Sequence, residues 1–238
     1  MARALAEGEA LLGSAFEERS EEINGLIGAH FAPKTLDAVA QEFAAAAAQS
    51  PQSTATNEAV AALASVVREA AARAVDDFKK VELWIALKAP PISDGNNFGA
   101  DVQNFVSAEI KKMRHAADAM VDGASNYHWQ RGLGIEKLAS EANTETSKGK
   151  VEEKEDGKTT VKTSESTKET SKASPPIGDF VRYTVALDVK QYHASYSQLC
   201  SLRDYYLKAH VLLQKNMKRL LDPRGDGGGA DRGVMSMF

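Results

Sequence analysis

Apolar residues recur every three or four positions along four long segments of the chain. The second segment shows this most clearly, with Val60, Leu63, Val67, Ala70, Ala74, Phe78, Val81 and Ile85. Such spacing puts one apolar stripe on one face of an α-helix and predicts a packing seam. The pattern predicts helices over 1–48 with a break at Pro33, then over 57–89, 98–141 and 177–222. We therefore predict an all-α protein with a single domain spanning 1–238.

The fourth segment carries more apolar surface than one seam requires. Its seam consists of Val185, Val189, Tyr192, Tyr196, Leu199, Leu202, Tyr206, Leu213, Met217 and Leu220. At about 100° per residue, Tyr205 and Leu212 fall on one flank of the seam, and Cys200, Leu207 and Val211 fall on the other. A monomeric bundle does not need so wide an arc, so the pattern predicts self-association.

The third segment repeats the seam through Val106, Ile110, Met113, Ala117, Met120, Ala124 and Tyr127. Methionines at this spacing favour a core position over a binding groove, although both readings exist. Gly132 and Gly134 predict a weak point, after which the helix recovers.

A polar stretch with two prolines, residues 90–99, separates the second and third segments, and we call it the central loop. The prolines stop the incoming helix near Ala89, because proline fixes φ and lacks a backbone donor. Asp94-Gly95 favours a turn, and Asn96-Asn97 suits the cap of the next helix. On local chemistry alone, the loop is either a plain helix stop and start or a stiff surface that presses on a partner.

Two other stretches differ in composition from the helices. Residues 142–174 alternate Lys, Glu, Ser and Thr, and only Val151 and Val161 could bury apolar surface, which predicts a disordered, charged loop. Residues 223–238 begin with Pro223, run through glycines and predict a flexible tail. The tail finishes in an apolar tip made of Val234, Met235, Ser236, Met237 and Phe238. Such a tip with a free carboxylate suits docking in a pocket.

Charge and cysteine usage narrow the class of protein. The 29 basic and 33 acidic side chains give a net charge of −4, which offers no electrostatic reason to expect a nucleic-acid or membrane partner. The single cysteine, Cys200, excludes an internal disulfide framework and fits a reducing compartment. We expect a cytoplasmic or nuclear protein.

Candidate catalytic and metal-ligating residues do not meet the spacing that their chemistry needs. The first segment places His30 on its apolar face, beside Phe16 and Ile23 in the seam, so we predict a packed histidine rather than a metal ligand. The five histidines form no zinc-type pair, and Cys200 has no assignable catalytic partner. The sequence predicts a non-catalytic binding protein with no metal and no cofactor.

Several motifs together resemble the 11S proteasome activator family, also called PA28 or REG. The most specific is Asp94-Gly95-Asn96-Asn97-Phe98-Gly99, which resembles that family's activation loop. Supporting motifs occur in the family's order: Gly25-Leu26-Ile27-Gly28-Ala29-His30-Phe31 followed by Pro33-Lys34, Leu83-Trp84-Ile85, Ile177-Gly178-Asp179-Phe180, and Asp222-Pro223-Arg224-Gly225.

The resemblance implies an elongated four-helix up-down bundle that assembles into a heptameric ring, here a homoheptamer. The ring would bind the α-ring of the 20S proteasome without ATP, and peptides would pass through its channel. The implied activation loop, which would open the gate, comprises Pro91, Ile92, Ser93, Asp94, Gly95, Asn96, Asn97, Phe98 and Gly99. The implied docking residues are those of the apolar tip, Val234 to Phe238.

The chain departs from the family pattern in two places. The charged loop lies between the third and fourth segments, whereas the animal α-type members carry theirs between the first and second. The tail is longer and richer in glycine. A helical scaffold or tether that never meets a proteasome fits the same periodicity, since it too needs only amphipathic helices, and an enzyme is a more distant alternative.

Overall fold

The computed structural model describes residues 1–31, 33–49, 55–91, 98–142 and 178–224. These ranges contain seven α-helices and no strand: α1 (Ala2–Glu9), α2 (Ala15–His30), α3 (Leu36–Gln49), α4 (Glu58–Lys88), α5 (Phe98–Val121), α6 (Gly123–Ala142) and α7 (Gly178–Leu221). The all-α prediction is confirmed. The predicted charged loop falls almost wholly between α6 and α7, outside the described residues.

The helices run up and down along one bundle. At one end, which we call the base, the Gln103 amide near the start of α5 reaches Leu220 near the end of α7, and Trp84 near the end of α4 meets Glu9 of α1. At the other end, which we call the distal end, the Asn57 amide before α4 donates to Asp188 early in α7 over 2.8 Å. Helices α4 and α7 therefore both run toward the base, whereas α2, α3, α5 and α6 run away from it.

An aromatic cluster fills the middle of the bundle. Phe16 of α2, Phe78 of α4 and Tyr206 of α7 are almost fully buried, with ring centroids 5.3 to 5.6 Å apart. Phe16 meets both other rings edge to face, an arrangement that adds about 0.5–1.5 kcal/mol per pair beyond the apolar area that it buries. Three of the four predicted seams, those of the first, second and fourth segments, meet at this cluster.

Asp77 of α4 forms the polar link within this core. Its carboxylate accepts from the Tyr206 hydroxyl over 2.9 Å and from Arg19 Nε of α2 over 3.2 Å. A buried carboxylate is costly unless it is paired and hydrogen-bonded. Because its donors come from two other helices, Asp77 fixes the relative levels of α2, α4 and α7.

Asp188 of α7 plays the equivalent part nearer the distal end. Its Oδ1 accepts from the Tyr127 hydroxyl over 2.8 Å and from Arg131 Nε over 3.0 Å, both from α6. Its Oδ2 accepts from the Asn57 side chain, which also caps α4 by accepting from the Val60 backbone N–H. These bonds fix α6 and the start of α4 against α7.

The predicted weak point in the third segment is wrong in position. The helix runs without a break through Gly132 and Gly134, and the interruption lies earlier, at Asp122 between α5 and α6. There the Ser125 hydroxyl donates to the Asp122 carbonyl over 2.7 Å and competes with backbone bonding. Gly134 instead allows close packing, since a Cβ there would lie 3.2 Å from the Tyr183 ring.

The first segment also differs from its prediction. It divides after Glu9 as well as around Pro33, and the short helix α1 packs on α4, where a Cβ at Gly8 would lie 2.4 Å from Trp84 Cβ. His30 is exposed at the end of α2, so its predicted packing in the core is wrong. His30 is the last residue of α2, and the extended Phe31 that follows it packs against the core instead.

The apolar arc of α7 is covered unevenly. Tyr205 and Leu212 on one flank pack against the core, whereas Leu207 and Val211 on the other flank are exposed. The heptameric ring that the resemblance implies stays a prediction.

We predict that Tyr206→Phe lowers the free energy of unfolding at neutral pH by about 1–3 kcal/mol, because the Asp77 carboxylate stays buried and loses a donor. Burial and the neighbouring Asp77 carboxylate raise the pKa of Tyr206 above its ordinary value. The raised folded pKa means that the protonated Tyr206 side chain contributes to the free energy of unfolding. This contribution is fully present below the unfolded pKa of about 10 and is lost as the pH rises from there toward the folded pKa.

Urea unfolding followed by circular dichroism at pH 7 and at about pH 10.5 measures both effects. The difference between wild type and Tyr206→Phe should narrow at the higher pH. Tyr205→Phe is the matched control and should change little, because Tyr205 is only partly buried. Equal stability of the two variants at pH 7 would contradict the role given to the Asp77 contact.

Candidate functional site

The central loop leaves the bundle at the base. Helix α4 ends at Lys88, and Ala89 takes an extended backbone with φ −61° and ψ 132°, as expected for a residue before proline. Helix α5 begins at Phe98. Of the predicted activation loop, Pro91, Phe98 and Gly99 are described, and 92–97 lie outside the described residues.

The end of α7 lies beside this loop. The helix finishes at Leu221, after which the Asp222 N–H still donates to the Lys218 carbonyl over 3.0 Å. Pro223 is buried and Arg224 is exposed. The predicted docking tip, 234–238, lies outside the described residues, but the point from which it departs is fixed.

The start of the tail packs directly against the backbone at the two ends, or stems, of the central loop. A Cβ at Gly99 would lie 1.8 Å from the carbonyl oxygen of Pro223, a distance that no side chain can occupy. The Arg224 guanidinium donates to the carbonyl oxygen of Pro91 on the other side of the loop. The start of the tail therefore contacts both stems of the central loop, and only glycine fits at position 99.

Gln103 connects the ends of two helices below the loop. Its Nε2 donates to the Leu220 carbonyl over 3.0 Å and to the Lys88 carbonyl over 3.4 Å. Both carbonyls belong to the last turn of a helix, where no partner is available within the helix itself. The Gln103 side chain is only 2% exposed, and its Oε1 has no hydrogen-bond partner among the described residues. We call Gly99, Gln103, Pro223 and Arg224 the base clamp.

An aromatic side chain stands at the edge of the clamp. Phe98 is 59% exposed, and the Arg219 guanidinium lies 5.4 Å from its ring centroid, within cation–π range. Leu221 is also exposed at this end. The base thus presents apolar and cationic groups together around the loop stems.

Helix α1 supports the base from the side. Trp84, fully buried in the last turns of α4, donates from its ring nitrogen to Glu9 over 3.4 Å. The Lys88 ammonium lies 3.5 Å from the same carboxylate. These contacts hold the end of α4, and so the first stem of the central loop, in place.

Sequence reasoning identified the loop and the tail but missed the clamp between them. Gln103 falls at seam spacing with Val106 and Ile110, so a polar residue in a predicted apolar stripe was the available signal. Nothing in the sequence indicates which carbonyls its amide meets. Arg219 and Arg224 look like ordinary basic residues at a helix end.

The described residues contain neither a metal-ligand cluster nor a membrane-spanning helix. Within those ranges, no three His, Cys, Asp or Glu side chains come close enough to hold a metal ion. None of the described helices combines the length and the apolar character that a membrane span requires.

Comparisons with known proteins agree with the motifs. The family model "Proteasome activator PA28, C-terminal" matches residues 53–171 and 161–230. Human "Proteasome activator complex subunit 3" is 23% identical over 150 residues, which cover 63% of this chain and 46% of that protein. "Proteasome activator 28" of Dictyostelium discoideum is 30% identical over 103 residues, covering 42% of this chain and 46% of that protein. The chain thus spans about half the length of the curated relatives that it matches.

A solved structure has a similar fold over nearly the whole chain. The 11S subunit of the Plasmodium falciparum proteasome, PA28, superposes with a TM-score of 0.65 at 16% sequence identity, covering 93% of this chain and 90% of that one. The family model covers most of the sequence, including both sides of the base clamp. The chain belongs to the PA28 family of proteasome activators.

Proposed function

We propose that this chain is an ATP-independent, non-catalytic activator of the 20S proteasome. The observation that carries the proposal is the base clamp, which brings the stems of the central loop and the start of the tail to one end of a PA28-family bundle. A homoheptameric ring of such chains would present its loops and tails on one face. That face would meet the α-ring, and peptides would pass through the channel.

The tails would supply affinity. The tip, Val234 to Phe238, is short and can bury only a small area, so each tail binds weakly. In a ring, once the first tail docks, the others bind intramolecularly at high effective concentration, so that weak contacts sum to a tight one.

The central loop would supply gating. A ligand shifts a two-state gate only by its difference in affinity for the two states. Moving a gate from about 1% to about 99% open requires about 5.5 kcal/mol, or about 0.8 kcal/mol per loop when seven act together. That is the size of one ordinary hydrogen bond per loop.

The clamp would couple these two parts. A docked tail would tether Pro223 and Arg224 close to the α-ring. Because Pro223 packs on Gly99 and Arg224 donates to Pro91, the stems of the loop would be brought to the α-ring together with the start of the tail. Gln103 holds both helix ends against tilting.

We predict that Asn96→Tyr abolishes stimulated peptide hydrolysis while leaving ring mass and binding to 20S particles unchanged, because the larger side chain alters the loop surface that meets the gate. Fluorogenic peptide hydrolysis and co-sedimentation measure the two properties separately. Asn104→Tyr, at an exposed position of α5, is the control and should behave as wild type. Full stimulation by Asn96→Tyr would remove the loop assignment, and a scaffold would show no stimulation with either variant.

Deleting residues 234–238 should prevent co-sedimentation with 20S particles, because every one of the weak docking contacts is lost at once. The assembled mass of the truncated chain alone should equal that of wild type. Unchanged binding would show that the tip has no part in docking.

The clamp itself is tested by Gly99→Ala. The added methyl group overlaps the Pro223 carbonyl and must push the loop stem from the start of the tail, so stimulation should fall severalfold more than binding does. Gly25→Ala, in the middle of α2 with nothing within 4 Å, is the control and should stabilise the helix by up to about 1 kcal/mol. Equal loss of binding and stimulation by Gly99→Ala would argue against coupling.

A further inference from the structure

An apolar groove of about 1070 Å³ lies between α3 and α7 in the distal half of the bundle. One wall is the alanine run of α3, including Ala44 and Ala48, and the other is formed by Val181, Val185 and Val189 of α7. These valines lie in line with the buried seam of α7, yet here they are only half buried. Within the described ranges, a single chain therefore leaves part of this packing surface uncovered.

An exposed apolar patch lies on α6. Trp129 and Leu133 are 69% and 42% exposed, and because they are four residues apart they share one face of the helix. Glu136, also exposed, follows on the same face. Tryptophan is among the residues that most often dominate the binding energy of protein interfaces, so the patch has the composition of a contact surface.

The patch and the groove lie at the same level along the bundle. Arg131, between the two patch residues, donates to Asp188 over 3.0 Å, and Asp188 lies between Val185 and Val189 of the groove. Helices α3 and α6 each pack on α7. The patch residues do not line the groove of their own chain.

Charges at the two surfaces are complementary. Arg131 of α6 contacts Asp188 of α7, and Gly134 contacts the earlier Tyr183, so the two helices run antiparallel. Counted from the Arg131 contact, Glu136 lies about 7.5 Å nearer the distal end, which is the level of Arg182. Arg182 is exposed on the groove wall, and within the described part of the chain neither it nor Glu136 forms an ion pair.

We infer that Trp129 and Leu133 of one copy fill the α3–α7 groove of the next copy, with Glu136 facing Arg182. Rotation about a ring axis keeps every residue at its level, so a patch and a groove at one level meet around the whole ring. Because the two surfaces differ, the contact is heterologous, and when repeated about the axis of the proposed ring it joins each copy to the next rather than forming a two-fold dimer. The inference rests on the self-association in the proposed function and names the surfaces that produce it.

Disulfide trapping tests the contact directly. In a Cys200→Ser background, Leu133→Cys combined with Ala48→Cys should form bonds between chains on oxidation with diamide and give a ladder of covalent oligomers in denaturing gels. Helices α3 and α6 each pack on α7 but are not packed on each other in the described part of the chain, so the bond is expected to join different copies. Lys112→Cys with Ala48→Cys is the matched control, since Lys112 lies about 25 Å along the α5–α6 axis from Trp129.

A ladder for the test pair and none for the control supports the inference. Equal ladders, no ladder, or a bond within one chain overturns it, and a bond within one chain would leave the monomer mass unchanged. A wild-type chain that stays monomeric at high concentration overturns it too.

Charge exchange gives a second test that keeps Trp129 in place. Glu136→Arg should weaken assembly at least tenfold in mass photometry, since it places two cations together, and adding Arg182→Glu should restore the assembled mass.

A third test removes the apolar anchor. Trp129→Ala should weaken assembly while the circular dichroism spectrum of the helices stays unchanged. Wild-type assembly by either single variant overturns the inference. These measurements contain no proteasome, so a failure of the proposed activation would leave their outcome intact.

Discussion

Two helix ends share one buried amide, and the geometry of the base depends on it. The carbonyls of Lys88 and Leu220 both need donors that their own helices cannot supply, and Gln103 supplies both. The bond to Leu220 holds the start of α5 against the end of α7, where Pro223 packs on Gly99 without space for a side chain. The loop and the tail thereby leave the bundle from adjacent points.

The remaining polar contacts of the core set the levels of the helices above this base. Asp77 joins α2, α4 and α7, and Asp188 joins α4, α6 and α7. Each carboxylate is buried among donors from other helices, so sliding of one helix past another would leave a charge unpaired. The bundle therefore keeps a fixed distance between the distal half, where we infer contacts between copies, and the base, where we propose contact with the proteasome.

The sequence predicted what depends on local spacing and missed what depends on contact between segments. The seam from Val60 to Ile85 could be read directly, since burial of one face follows from helical period. The prediction of a weak point at Gly132 and Gly134 was wrong. Gly134 makes room for Tyr183, which packs on it, and the helix is interrupted at Asp122 instead. His30 has the spacing of the stripe, but it is the exposed last residue of α2, and Phe31 packs on the core instead. The family motifs indicated the loop, whereas the clamp that holds its stems required the folded chain.

We propose that this chain opens the gate of the 20S proteasome without catalysing a reaction itself. The most direct measurement is the rate at which latent 20S proteasome hydrolyses a fluorogenic peptide, with no nucleotide present, as the purified chain is titrated in. The account predicts a severalfold increase that saturates at one heptamer per end of the particle. An unchanged rate at saturating chain, with ring assembly verified in the same sample, would contradict it.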